Sequence, residues 1–118
     1  MSDKENPVVC KSRNFAIRIV KLYKYLLEDK NEFVMSKQLL RSGTSIGANI
    51  AEAERGQTEA DFYAKMNIAL KEVAETEYWL NLLHDTEYIS DKQFDAIMAD
   101  CLELLKLLMA ITKKQKKI

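Results

Sequence analysis

The sequence predicts an all-α protein folded as an antiparallel up-down-up-down four-helix bundle. Three observations predict it. Apolar residues recur at steps of three and four along most of the chain, the spacing that lines one face of a helix. Gly43, Gly47, Gly56 and Pro7 are the only residues of the two chain-breaking types in 118, too few for a sheet-rich fold with many tight turns. The polar breaks between the periodic segments are short, which places consecutive helices antiparallel beside one another. An elongated pair of helical hairpins completed by another subunit meets the same pattern.

The first helix is expected over residues 12–30, capped by Ser12 or Asn14, with Phe15, Ile19, Leu22, Tyr23 and Leu26 on one face. Glu28-Asp29-Lys30-Asn31 ends it. A second helix over 35–55 carries Leu39, Ser42, Ile46, Ile50 and Ala53 as a stripe of apolar and small residues. On one side of it Gly43, Gly47 and Ala51 recur every four residues. Each internal glycine costs about 1 kcal/mol of helix propensity, which close approach of a neighbouring helix offsets. A kink near Gly43-Thr44 is the alternative.

Gly56-Gln57 closes that segment, and Thr58-Glu59-Ala60-Asp61 resembles a capping box with Asp in place of Glu. The third helix, 59–85, has a seam of Phe62, Met66, Ala69, Val73, Thr76, Leu80 and Leu83, broken only by its threonine. Leu70, Trp79 and Leu82 widen the face toward a second neighbour. Ser90 and Gln93 form a clear capping box for the fourth helix, which runs to about Thr112. Its seam is Phe94, Ile97, Cys101, Leu104, Leu108 and Ile111. The expected organisation is a flexible N-terminal segment (1–11), one bundle domain (12–112) and a basic tail (113–118).

Composition narrows the class of function. Lys plus Arg and Asp plus Glu both number 18, so the chain is not uniformly basic. No apolar run nears a membrane span, and MSDKENP has no apolar signal core, so no membrane partner and a cytoplasmic location are expected. Two cysteines, Cys10 and Cys101, with His84 as the only histidine, make no spaced metal motif. Cys101 lies in an apolar pattern and reads as a small buried hydrophobe; a Cys10–Cys101 disulfide is the alternative. The Glu-x-x-His pairs of di-iron bundles are missing, because Asn81 stands three residues before His84. Ser42 and Ser45 have no recognisable base, and Gly43-x-x-x-Gly47 lacks the Gly-Lys-Ser/Thr ending of a phosphate loop. No cofactor and no enzymatic activity are expected. His84 reads as a helix-end cap or a surface residue.

Neutrality conceals an asymmetry. Residues 1–30 carry a net +3 and residues 58–85 a net −4. The acidic third helix can pair with the basic first, within a subunit or between subunits, and such pairing sets orientation more than affinity. Lys11, Arg13, Arg18, Lys21 and Lys24, with Lys113, Lys114, Lys116 and Lys117 of the tail, are the candidate contacts to RNA or DNA, whose binding depends on gathered positive charge. Solvation of a helix face and of a tail explains the same residues.

The stretch from Arg41 to Gly56 is the most unusual. Ser42, Ser45, Asn49 and Glu52 fall at steps of three, four and three, so all can face one interior groove. Arg41 or Glu77 can complete a structural hydrogen-bond network there, one that selects helix register. A ligand-binding groove is the alternative.

Arg41-Ser42-Gly43-Thr44-Ser45-Ile46-Gly47-Ala48-Asn49-Ile50-Ala51-Glu52-Ala53-Glu54-Arg55-Gly56, followed by Thr58–Phe62 and Ala69–Glu77, resembles the S23-like bacterial four-helix bundle proteins. These were first named for reading frames in intervening sequences of 23S rRNA genes, and they include relatives of the accessory protein of diversity-generating retroelements. The resemblance spans residues 14–111. Arg41, Ser42, Gly43, Ser45, Ile46, Asn49, Ile50, Ala51 and Glu52 fit the family pattern, whereas Ala53 stands where glycine is usual and Glu75 where serine is more typical. The resemblance implies a compact antiparallel bundle and a homo-oligomer, with a pentameric ring favoured. It implies no enzymatic activity. The retroelement relatives contact nucleic acid through a positively charged assembly, a property that a neutral chain does not inherit automatically.

Overall fold

Proline at the start of a periodic segment is the first point at which local chemistry decides the fold. In the computed structural model, which describes residues 6–115, α1 spans Pro7–Glu28. It therefore begins five residues ahead of the expected 12. Pro7 occupies the first turn, where its missing N–H is harmless and its fixed φ suits a helix. Residues 7–11 of the segment expected to be flexible are thus helical, and Val8 is buried. Ser12 is interior rather than a cap, its hydroxyl donating to the Val9 carbonyl at 3.1 Å.

The remaining elements are α2 (Met35–Glu54), α3 (Glu59–Asp85) and α4 (Asp91–Thr112). The α1–α2 turn passes through Asn31 at φ 54°. The α2 start is capped in a way the sequence pattern does not reveal. The buried Glu32 carboxylate accepts from the N–H groups of Val34 (3.2 Å), Met35 (3.2 Å) and Ser36 (2.7 Å). The amides at a helix start have no intrahelical partners, and they stabilise that negative charge. Thr58 caps α3 through Asp61 N–H at 3.0 Å. Ser90 and Gln93 form the reciprocal box at α4, at 3.1 and 2.8 Å. Glu87, at φ 67°, ends α3 in a left-handed turn where glycine is usual, and Tyr88 N–H then reaches the Leu83 carbonyl at 2.9 Å.

Each helix packs on its chain neighbours, and α4 returns to α1. The diagonal pairs α1–α3 and α2–α4 have no backbone approach within 8 Å. This is the arrangement expected of an up-down-up-down bundle. Its core is the set of seams read from the sequence. Phe15, Ile19 and Leu26 of α1, Leu39, Ile46 and Ile50 of α2, Met66, Val73, Leu80 and Leu83 of α3, and Ile97, Cys101, Leu104 and Leu108 of α4 are buried in one cluster. Phe62 and Phe94 sit at the margins, half-buried.

The two glycines of α2 differ in role. The helix is continuous through Gly43-Thr44, so there is no break there. A Cβ on Gly43 would stand 2.8 and 2.9 Å from Ile19 Cγ1 and Cγ2, whereas one on Gly47 would meet Ser12 O at an ordinary 3.4 Å. Gly43 is the position where α1 presses directly on the α2 backbone, and Ile19 is fully buried with nowhere to retreat. Gly43→Ala should therefore lower stability by about 1–3 kcal/mol through overpacking. Gly47→Ala should raise it by about 0.5–1 kcal/mol through helix propensity. Urea unfolding of the two variants checks the opposite signs.

Candidate functional surfaces

The polar stretch of α2 divides into separate contacts. Ser42 is buried, and its Oγ lies 2.9 Å from Oγ1 of the buried Thr76, which also reaches the Glu72 carbonyl at 2.8 Å. Asn49 bonds locally, its Nδ2 donating to Ser45 O (2.9 Å) and Oγ (3.0 Å). Glu52 is exposed and pairs with Lys65 at 3.1 Å. Arg41 is exposed and ion-pairs with Glu72 (3.4 Å) and Glu75 of α3. Glu75 also accepts from the indole of Trp79 at 2.9 Å. Glu77 is half-buried and joins none of these contacts.

The single groove expected from Arg41, Ser42, Ser45, Asn49, Glu52 and Glu77 is therefore not formed. A three-residue step falls about 60° short of a full turn, so Ser42 stays at the edge of the buried arc while Ser45 and then Glu52 rotate off it. That arc is centred on Leu39, Ile46, Ile50 and Ala53. Thr76, the one polar member of the α3 seam, is the cross-helix partner that the α2 pattern alone does not supply. Its place in an otherwise apolar seam was the available signal. No buried side-chain N or O among the described residues lacks a hydrogen bond.

The basic helix α1 is partnered by α4, and the intrasubunit option for pairing it with α3 is closed by the topology. Lys11 Nζ meets Glu103 at 3.0 Å, and Arg18 pairs with Asp100. Arg13, Lys21 and Lys24 are exposed, and none has an ion pair among the described residues. Lys113 and Lys114 are exposed just beyond α4, while Lys116 and Lys117 lie outside the described residues. The five candidate cations of α1 thus form two groups, Lys11 and Arg18 paired with α4 carboxylates and Arg13, Lys21 and Lys24 without an ion pair among the described residues.

The titratable groups with distinctive surroundings are few. His84 stacks on Phe94, with ring centroids 4.1 Å apart, and its Nε2 lies 2.7 Å from Asp91 Oδ1. It ties the end of α3 to the start of α4, as a helix-end residue should. Cys101 is a free thiol fully buried in the core, so the Cys10–Cys101 disulfide does not form. Burial, followed by the charges of Glu77 and Asp100, pushes its pKa from 9.0 up to about 12. Such a thiol is a packing group and a poor nucleophile. Among the described residues no group of three His, Cys, Asp or Glu could hold a metal ion, and no helix is long and apolar enough to cross a membrane.

The molecule is thus a four-helix bundle whose polar residues cap helices, satisfy one another across seams and pair on the surface. The chain belongs to the 23S rRNA-intervening sequence protein family, whose profile matches residues 4–110. It is also similar to a solved crystal structure of a protein with unknown function from the S23 ribosomal protein family of Bacteroides thetaiotaomicron VPI-5482. The two share 61% identity over 91% of this chain and 99% of that one, with a TM-score of 0.89. Among curated proteins none matches the chain.

Two outcomes follow from these contacts. In a double-mutant cycle of Ser42→Ala and Thr76→Val, read by urea unfolding, the coupling should be about 1 kcal/mol. Asn49→Leu, which removes only a local half-exposed bond, should change stability by about 0.5 kcal/mol or less. Cys101 generates a pH dependence of defined sign. Above pH 9 the unfolded chain releases a thiol proton that the folded core retains up to about 12, so stability falls as pH rises through that interval. Between pH 8 and pH 10.5 the wild type should lose more unfolding free energy than Cys101→Ala.

Proposed function

We propose that this chain is a non-catalytic, self-assembling bundle whose working unit is a ring of copies. The observation that supports it is the outer face of α1. Ile17 is 43% exposed and Val20 36%, both on the stripe that Arg13 and Lys24 flank. Ile68 and Tyr78 are exposed on α3, the net-acidic helix diagonal to α1, with no backbone approach to it within 8 Å. The basic apolar face of α1 and the apolar face of the net-acidic α3 lie on non-adjacent helices and can serve as a heterologous pair, and heterologous contacts close into rings when the rotation permits. The family resemblance sets five as the expected number of copies. A cytoplasmic setting belongs to the same reading, which needs no oxidised cysteine in the core.

Contact with RNA or DNA is a second reading. It is favoured by Arg13, Lys21 and Lys24, cations that no carboxylate neutralises among the described residues, and it gains from repetition of that patch around a ring. It is weakened by the engagement of Lys11 and Arg18 with α4.

Sedimentation analysis tests the first reading. The wild type should sediment well above its 13.6 kDa monomer mass. Ile17→Glu/Val20→Glu should run as a monomer with unchanged helical circular dichroism. A wild-type monomer throughout the micromolar range overturns the ring. Titration of the same two proteins with single-stranded RNA and duplex DNA across a salt series reads the second. Absence of binding at low salt overturns it.

A further inference from the structure

The seam between α1 and α4 is unlike the other three. It has the sparsest backbone approach of the four neighbouring pairs. Where it is closed, long charged side chains close it, through Lys11–Glu103 and Arg18–Asp100. Past Arg18, toward the start of α4, the two helices leave a cleft of about 450 Å³. That volume falls within the range of small-ligand sites, about 300–1,000 Å³.

The chemistry of its walls is one-sided. Leu22 and Tyr25 of α1 and Ala96 and Ile97 of α4 supply an apolar lining. Arg18 and Lys21 stand on one wall and Lys92 on the other, and no carboxylate lines the cleft. Asp100 already holds Arg18. Lys21 and Lys92 are exposed and have no ion pair among the described residues. Lys21 and Lys92 on facing walls are left without a counter-charge, and one dianionic head can serve both. Between them the lining is mostly apolar, with the Tyr25 hydroxyl and Gln93 as its other polar groups, and it gains from burying a hydrocarbon or aromatic surface. A bare ion satisfies only the first requirement, and a neutral apolar molecule only the second.

We propose that the α1–α4 cleft is a binding site for small phosphate monoesters, their phosphate held between Lys21 and Lys92 and a compact apolar body laid against Leu22, Tyr25 and Ile97. The body has two chemical sources, an aromatic ring or a short alkyl chain. The site neither requires nor excludes the ring of copies, because it is built within one subunit and lies on the α4 side of α1.

The test uses the full chain and four probes: phenyl phosphate, hexyl phosphate, inorganic phosphate and benzyl alcohol. Calorimetric titration is paired with NMR of the Tyr25 ring and the Ile97 methyls. At least one ester should bind about tenfold more tightly than inorganic phosphate or the alcohol, and should shift both reporters. Lys21→Gln/Lys92→Gln should weaken that ester by about tenfold or more, the scale of charge-assisted hydrogen bonds. Ala96→Trp, a change at an exposed position, should abolish binding by filling the cleft while thermal unfolding shows a folded protein. Preference for the phenyl or the hexyl ester supports the site either way and assigns the shape of its body. Equal binding of ester and inorganic phosphate, shifts confined to other residues, or unchanged affinity in the lysine variant overturns the proposal.

Discussion

The contact on which the bundle depends is that of Ile19 with the bare backbone at Gly43. Most helix pairs are held apart by the side chains between them. At this point α2 offers none, and a fully buried branched side chain of α1 fills the space. That contact sets the separation of α1 and α2 and the depth at which Leu39, Ile46 and Ile50 enter the core. The α3 seam then meets a surface whose relief is already fixed. Ser42 lies one residue before Gly43 and faces the other neighbour, α3, where its hydroxyl is 2.9 Å from that of Thr76. A small residue for proximity and a hydroxyl for register thus occupy consecutive positions of one helix.

Most of this architecture was legible before any coordinates. Repeats such as Met66-Ala69-Val73-Thr76-Leu80-Leu83 encode a face directly, since a helix maps three- and four-residue steps onto one line. The Thr58 and Ser90 caps were legible for a related reason: both partners of each hydrogen bond lie within four residues. The start of α1 is less legible, because the polar run around Ser12 and Asn14 offers a later cap while the helix in fact opens at Pro7, which suits a first turn. Glu32 was not foreseen as a cap, because a carboxylate preceding a helix by three residues carries no distinctive spacing. Its role appears only when the turn at Asn31 folds it back.

The surfaces were less legible than the core. Spacing gathers Ser42, Ser45, Asn49 and Glu52 near one side of α2, but it does not say where the buried arc ends. The last of them therefore reached solvent and Lys65. The basic character of α1 was visible, yet its partner was not. Charge totals pointed to α3, whereas connectivity delivered α4. Lys92 belongs to no basic cluster in the sequence and joins Lys21 only across a gap between helices. Features that need two distant segments in register are the ones a one-dimensional pattern leaves open.

The α1–α4 seam also bears on how the molecule moves. It joins the two ends of the chain, so its formation closes the largest loop in the fold and carries the greatest entropic cost. Ion pairs whose side chains are two-fifths to one-half exposed return little in exchange. The other three seams are hairpins closed by short turns, and they are local and cooperative. The bundle is therefore a firm three-hairpin sheet of helices rolled up along a soft edge. Parting the helices at that edge breaks the sparsest of the four seams and leaves Ile19 seated on Gly43.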